Sequence, residues 1–184
     1  MKHRGEKMNQ LTIKNYIDTL SSIIKNPGVF FENLPKYSGI KYPFYFLCIS
    51  CLISAFVFIF STSAADYKTL TGSVYFINAV GMTIIAALFA YASILIMAPQ
   101  RADYKKCFSI FAYSAGTAVI GAGIPFFIWF AEIWKWWLIG KGLKKNIKLT
   151  GVQTIIVISV SICSILFLFS LFAHITAISD TMKI

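Results

Sequence analysis

The sequence predicts an all-α integral membrane protein: a bundle of five apolar helices, preceded by amphipathic helices lying at the membrane surface. Three observations predict it. The 184 residues are 58% hydrophobic and 13% charged, with a mean hydropathy of +0.72, whereas an ordinary globular chain is about a quarter charged. Charged residues bound four long uncharged stretches, 42–65, 69–100, 107–131 and 149–179, each exceeding the roughly 20 apolar residues that cross a hydrocarbon core of about 30 Å as a helix. The basic residues, finally, collect in alternate connections between these blocks. Seventeen Lys and Arg against seven Asp and Glu leave a net charge of +10. In a soluble chain that excess would suggest nucleic acid. Here it lies between apolar blocks, so no nucleic-acid partner is expected; the expected partner is the lipid bilayer, through anionic headgroups. This composition excludes secreted disulfide-rich and disordered classes.

Residues 1–41 form the expected cytoplasmic, interfacial segment. Charges at Lys2 and Arg4 and the polar-rich stretch that follows are unlike a secretory signal peptide. From Ile13 to Ile24 the residues Ile13, Tyr16, Ile17, Leu20, Ile23 and Ile24 share one face of a helical wheel, with Lys14, Asp18, Ser21, Ser22 and Lys25 opposite. Asn26 is placed to cap a second short helix with Pro27 in its first turn, whose Phe30, Phe31 and Leu34 share a face until Pro35 ends it. Phe30 and Phe31 beside basic residues suit the headgroup boundary. Packing of both helices on the end of the bundle is an equal reading, and one helix can rest on protein and lipid together.

Residues 42–176 form the expected transmembrane domain, with helices near 43–60, 74–97, 104–121, 125–140 and 152–175, and 177–184 a short outside tail. The 34 residues from Cys107 to Gly140 decide the count, because as one helix they would run about 51 Å. Gly121-Ala122-Gly123-Ile124-Pro125 breaks them into two arms. Positive residues near span ends stay cytoplasmic. With five helices, fourteen of the seventeen fall on one side: seven ahead of the first helix, then Arg101, Lys105 and Lys106, then Lys141, Lys144, Lys145 and Lys148. Lys68 and Lys183 fall on the other, and Lys135 sits near the end of the fourth helix, able to snorkel towards the basic side. The N-terminus is therefore expected in the cytoplasm and the C-terminus outside, in a plasma (inner) membrane. A re-entrant hairpin made by the two arms would give the same charge count.

Chemistry-bearing residues are few. Glu132 and Lys135, at i,i+3 spacing, are the charged pair within the double block, and ionisable residues in membrane segments are functional candidates. Trp134, Trp136 and Trp137 around them read as an interfacial belt, so anchoring competes with a polar transport or binding site. Tyr113 is a third intramembrane polar candidate. Cys48 and Cys51 have redox or metal spacing, but hydrocarbon disfavours the thiolate either chemistry needs, so packing is the expected role. His3 and His174 fall on opposite sides. No catalytic, cofactor or metal residues are assigned, and no enzyme is expected. Ala112, Ser114, Gly116, Ala118 and Ala122 mark the third helix as the crowded, central one. Lys141, Lys144, Lys145 and Lys148 form a candidate membrane-surface run with Phe30 and Phe31.

The order of these features resembles the Yip family, the Ypt/Rab-interacting membrane proteins and their prokaryotic relatives. The resemblance rests on Pro27-Gly28-Val29-Phe30-Phe31-Glu32-Asn33-Leu34 in the lead-in, Phe111-Ala112-Tyr113-Ser114 in the third helix, Ile124-Pro125-Phe126 opening the fourth and Gly142-Leu143 before the fifth. It implies a multi-pass protein of membrane organisation or trafficking, and in eukaryotic members links to small GTPases. This chain lacks the Asp-Leu-Tyr-Gly-Pro motif and the long polar extension of those members, so GTPase binding is not carried over; a compact prokaryotic-type member is the better match. Tyr113-Ser114 looks like a partial counterpart of the family's third-helix tyrosine motif. The expected function is non-enzymatic: organising membrane or partner proteins through a basic, aromatic cytoplasmic face, with a membrane-protein partner or a second copy of the chain as protein partners. The alternative is a small transporter or channel component using Glu132 and Lys135.

Overall fold

The computed structural model describes residues 13–34, 39–61, 68–122 and 127–181. Among these the chain is helical, without a strand: α1 (Ile13–Lys25), α2 (Pro27–Glu32), α3 (Lys41–Ser61), α4 (Lys68–Met97), α5 (Tyr104–Ala122), α6 (Ile128–Gly142) and α7 (Gly151–Thr181). A 3₁₀ turn, Pro99–Arg101, follows α4, and a π-helical turn, Leu143–Ile147, continues α6.

The helix ends follow from local chemistry. Pro99 stops α4, and the Asp103 carboxylate caps α5 by accepting hydrogen bonds from the Lys105 and Lys106 amides at 3.0 and 3.4 Å. Thr150 and Gln153 form a reciprocal capping box at the start of α7: the Gln153 amide donates to Thr150 Oγ1 at 3.3 Å, and the Thr150 amide donates to Gln153 Oε1 at 3.1 Å. Lys148, with φ of 63°, supplies the left-handed turn between the π-helical segment and this cap. Asn26 does not cap α2 with its side chain as expected; Pro27 in the first turn starts the helix without it. The Gly–Pro break around 123–126 and Pro35 lie outside the described residues. At the far end α7 continues to Thr181, so most of the segment expected as a tail is helix.

Helices adjacent in sequence from α3 to α6 run in alternate directions. Tyr75 of α4 meets Ser54 and Phe58 of α3, while Gly72 lies against Ile59. Tyr91 and Ala87 of α4 meet Tyr104 and Cys107 of α5. Along the α5–α6 hairpin Gly121 faces Ala131, Phe111 faces Trp136 and Ile110 faces Gly142. Gly140 faces Thr154 and Ile158 of α7. In the first three pairs one sequence number rises as the other falls. Three helices are long and apolar enough to cross a membrane, Lys41–Phe60, Leu70–Met97 and Gly151–Leu171. Among the described residues α5 and α6, the third and fourth of the five expected, do not reach that length and hydropathy. The 15 residues of α6 span only about 22 Å, and α5 carries Lys105, Lys106, Ser109, Ser114 and Thr117.

α5 is the central helix, packed against α3, α4 and α6. Ala112, Ser114, Gly116 and Ala118 are all buried, as the small-residue pattern predicts. The closest approach to α3 is at Gly116, where a Cβ would lie 2.9 Å from the Phe46 ring and 3.2 Å from Ser50 Oγ. The approach to α6 is at Gly142, tight against the Ile110 side chain. Gly116→Val should therefore overpack the α3–α5 contact and destabilise the protein by about 1–3 kcal/mol. Gly81→Ala, in a helical position with nothing within 4 Å, should stabilise it by about 0.5–1 kcal/mol. Thermal unfolding of both variants in detergent checks the pair.

Candidate functional site

The basic connections meet at one end of the bundle. Arg101 in the 3₁₀ turn donates to the Lys148 carbonyl at 2.6 Å, bridging the two connections, and Lys145 pairs with Glu32 of α2 at 3.4 Å. Asn146 donates to the Phe31 carbonyl at 2.9 Å. Lys141, Lys144, Lys145 and Lys148 are exposed there, as are Lys14, Lys25, Lys41 and Lys105.

α1 and α2 dock beside this end. Tyr16, Leu20 and Ile23 of α1 face the bundle. The Ser50 hydroxyl donates to the Phe46 carbonyl at 2.9 Å, so the Tyr16 hydroxyl donates to Ser50 Oγ, also at 2.9 Å. Aromatic rings continue the contact: Tyr16 lies 5.0 Å from Phe46, Phe46 5.2 Å from Tyr113, and Tyr113 5.2 Å from Phe30 in an edge-on contact. Tyr113 is thus the hub of an aromatic cluster joining α1, α2, α3 and α5. Phe31 is fully buried. Its expected place at the headgroup boundary is corrected, since its side chain is taken up by the protein core, while Phe30 is half-buried against Tyr113.

The apolar residues that remain open on this segment are different ones. Ile13, Ile17 and Ile24 are 80%, 55% and 53% exposed, and Val29 is exposed beside them in sequence on α2. At about 100° per residue the three isoleucines fall within about 40° of one another. They form a stripe between the docked face and the polar face of Lys14, Asp18 and Lys25. α1 therefore has three faces: one on protein, one apolar and open, one charged.

Glu132 and Lys135 occupy a different setting. Lys135 Nζ lies 2.5 Å from Glu132 Oε2 and 5.2 Å from the centre of the Trp136 ring. It turns back along α6 to Glu132, away from the basic end, so the expected snorkelling does not occur. Trp136 is not part of a belt either, because it faces inward and packs edge-on to Phe111 at 6.4 Å. Trp134 and Trp137, stacked at 4.9 Å, are the exposed members, and Lys141 lies 5.3 Å from the Trp137 ring. Glu132, Lys135 and Trp136 line a cavity of about 410 Å³ to which α3, α4, α5 and α7 also contribute. Its walls include Cys51, eleventh of the 21 residues of α3, Asn78 and Thr83 in the middle third of α4, and Ile162–Phe169 in the middle of α7. The ion pair is thus level with helix middles. The sequence reading missed Tyr75, Asn78 and Thr83, which line the same space; the available signal was a carboxamide inside an apolar span.

Cys48 and Cys51 are free thiols one turn apart in α3, and Cys51 also lines the cavity. No cluster of three or more His, Cys, Asp or Glu residues forms a metal site among the described residues. His174 is exposed on α7, and His3 lies outside the described residues.

Long apolar helices packed around a central small-residue helix define a multi-pass helical membrane protein. The Yip1 domain family model matches residues 21–174, and the chain belongs to that family. No curated protein and no solved structure matches it.

Burial raises the Tyr16 phenol above its ordinary value of 10.0, with the Ser50 hydroxyl opposing and the neighbouring Cys51 adding to the rise. A raised folded-state value means that the contribution to α1 docking is complete below pH about 10 and is lost as pH climbs through the folded value. A spin label at position 21 should gain mobility in that alkaline range, and Tyr16→Phe should remove the pH-dependent component.

Proposed function

We propose that this Yip1-domain protein is non-enzymatic and organises the membrane, or partner proteins within it, from its basic end, which faces the cytoplasmic leaflet of a plasma membrane. The observation that carries this reading is the open stripe Ile13, Ile17 and Ile24 on a helix whose adjacent face is fixed to the bundle. A helix held in this way presents its apolar stripe to the acyl boundary without any further ordering of the chain. The exposed Lys141, Lys144, Lys145 and Lys148 attract anionic headgroups at about 1 kcal/mol each near the surface. Phe30 and Phe31 hold α2 to the bundle, and the lipid contact passes to the isoleucines and Val29. A membrane-protein partner or a second copy of the chain would be recruited beside this face.

The same reading has the α5–α6 hairpin crossing the bilayer, with the C-terminus outside. Phe46 lies opposite Tyr113 and Ser50 lies against Gly116; carried forward, this register brings the end of α5 to within about two turns of the end of α3. The hairpin thus traverses most of the bundle's depth, and local thinning covers the remainder.

A second reading, a small transporter or channel component, is favoured by one observation: the cavity level with the helix middles and lined by Glu132 and Lys135. Ionisable groups so placed are costly in a membrane and are kept where a solute or proton uses them.

Full-length protein lacking its native cysteines, reconstituted in phosphatidylglycerol-containing vesicles, tests the first reading. An environment-sensitive fluorophore should report a lipid environment at Ile17→Cys and Ile24→Cys and an aqueous one at Asp18→Cys and Ser22→Cys. Aqueous spectra at all four would overturn the lipid-facing role of α1. In intact cells an impermeant thiol reagent should label Lys68→Cys and Phe127→Cys from outside but spare Asn146→Cys. Labelling at 68 without 127 would indicate a re-entrant hairpin, and labelling at 146 would reverse the orientation.

A further inference from the structure

The cavity has a composition that restricts what it can hold. α6 turns Ile128, Ala131, Glu132, Lys135, Trp136 and Ile139 towards it and leaves Trp129, Phe130, Ile133 and Trp137 exposed on the opposite face. Both charges therefore lie on the cavity side of the helix, Lys135 largely covered and Glu132 half exposed. The pair is net neutral. An incoming anion would draw Lys135 away and leave the Glu132 carboxylate without its counter-charge, and a cation would do the reverse to Lys135. Each leaves one charge uncompensated at the level of the helix middles, which is unfavourable within a membrane. A ligand carrying both signs leaves neither unpaired.

Size and remaining chemistry narrow the class further. About 410 Å³ lies within the range of roughly 300–1,000 Å³ common to small-molecule sites. At roughly 30 Å³ per water-sized group it holds on the order of a dozen heavy atoms, too few for a two-chain lipid. A phospholipid head would in any case sit at the headgroup level and not beside the middles of α3, α4 and α7. Asn78, an exposed residue of α4, lines the same cavity as the ion pair, and its carboxamide has no hydrogen-bond partner among the described residues; Thr83 by contrast donates to its own helix, to the Ala79 carbonyl at 2.8 Å. The rest of the wall is largely aliphatic and aromatic, with Leu166, Phe169 and Phe111 among it.

We propose that this cavity binds a small apolar zwitterion of the α-amino-acid type: its ammonium on Glu132, its carboxylate on Lys135 and the Asn78 amide, and its side chain against the apolar wall. The assignment deepens the transporter reading by naming the class of solute, and it rests on that reading only for movement across the membrane, not for binding.

The test uses the full chain in phosphatidylcholine nanodiscs, with radiolabelled leucine and phenylalanine as probes. In a Trp129→Phe/Trp134→Phe/Trp137→Phe background, Trp136 reports from the cavity wall by fluorescence. Saturable binding is expected, with 4-methylpentanoate and 3-methylbutylamine, which each keep one charge, competing at least tenfold more weakly than leucine. Glu132→Gln and Lys135→Met should each weaken binding tenfold or more. Ala79→Leu, which fills the cavity without touching the charges, should abolish it in protein that still elutes as a single species. No binding by folded wild-type protein, binding indifferent to both Glu132→Gln and Ala79→Leu, or a co-purified acyl chain that Ala79→Leu expels would each overturn the assignment. Uptake assays in proteoliposomes separate the two ideas. Binding without uptake upholds the site and sinks transport, whereas Glu132-dependent uptake of singly charged solutes with no zwitterion binding does the opposite.

Discussion

The contact of Phe46 with Gly116 is the constraint on which the rest of the molecule depends. A side chain at position 116 would collide with the ring, so its absence lets α5 lie close against α3. Lipid supplies no hydrophobic drive for helices to associate, and close backbone approach of this kind takes its place by increasing dispersion contact. The same Phe46 ring faces Tyr16 and Tyr113. The contact that fixes two long helices thus also forms the floor on which α1 and α2 dock, and it links the surface segment to the bundle.

α5 uses its small residues differently on different faces. Towards α3 and α6 they permit contact, through Gly116 against Phe46 and Gly121 against Ala131. Towards the remaining side, Ala115, Ala118 and Val119 face Ala79 and Ala86 of α4 across open space. Small side chains create close packing only where the backbones can follow. α5 is already held against α3 and α6, so it cannot also close on α4 along this length, and the missing side-chain volume remains as the cavity. The ion pair sits where that volume is. In a fully packed interior the pair would be hard to rationalise, because desolvation of two charges commonly exceeds their attraction.

Much of the fold was legible in the sequence because lipid imposes few solutions. Backbone groups must be satisfied within each segment, so long uncharged stretches read directly as helices, and the glycine–proline break and alternating lysines supply the pairing. The number of helices long and apolar enough to cross was less legible, since α5 is buried among its neighbours and carries polar residues, while α6 is apolar but short. The surface segment was read with the right periodicity and the wrong division of labour. A helical wheel groups Tyr16 with Ile17 and Ile23 with Ile24, but cannot say which half of an apolar arc meets protein; tertiary contacts through Ser50 and Phe46 decide that. Phe31 was misplaced for the same reason, because an aromatic beside lysines looks interfacial until a pocket claims it. Glu132 and Lys135 were visible as a pair. Their depth was not, since tryptophans pull the reading towards the headgroups and only the inward rotation of Trp136 separates it from its exposed neighbours.

The exposed stripe of α1 and the internal cavity are joined by one short path. From Tyr16 the contacts run through Ser50 and Phe46 to Tyr113 on α5, and the next turns of α5 carry Ala115, Ala118 and Val119 into the cavity wall. On the other flank Asn146 and Lys145 tie α2 to the π-helical turn, which continues the helix that bears Glu132 and Lys135. A π-helical turn has one residue more per hydrogen-bonded loop than α-helix and recurs at functional sites. The docked helices α1 and α2 thus touch both α5 and α6, which line the cavity. Coupling between stripe and cavity would require an element with two discrete arrangements, and the π-helical turn at Leu143–Ile147 is the segment that stands between the docked helix α2 and the helix bearing the ion pair.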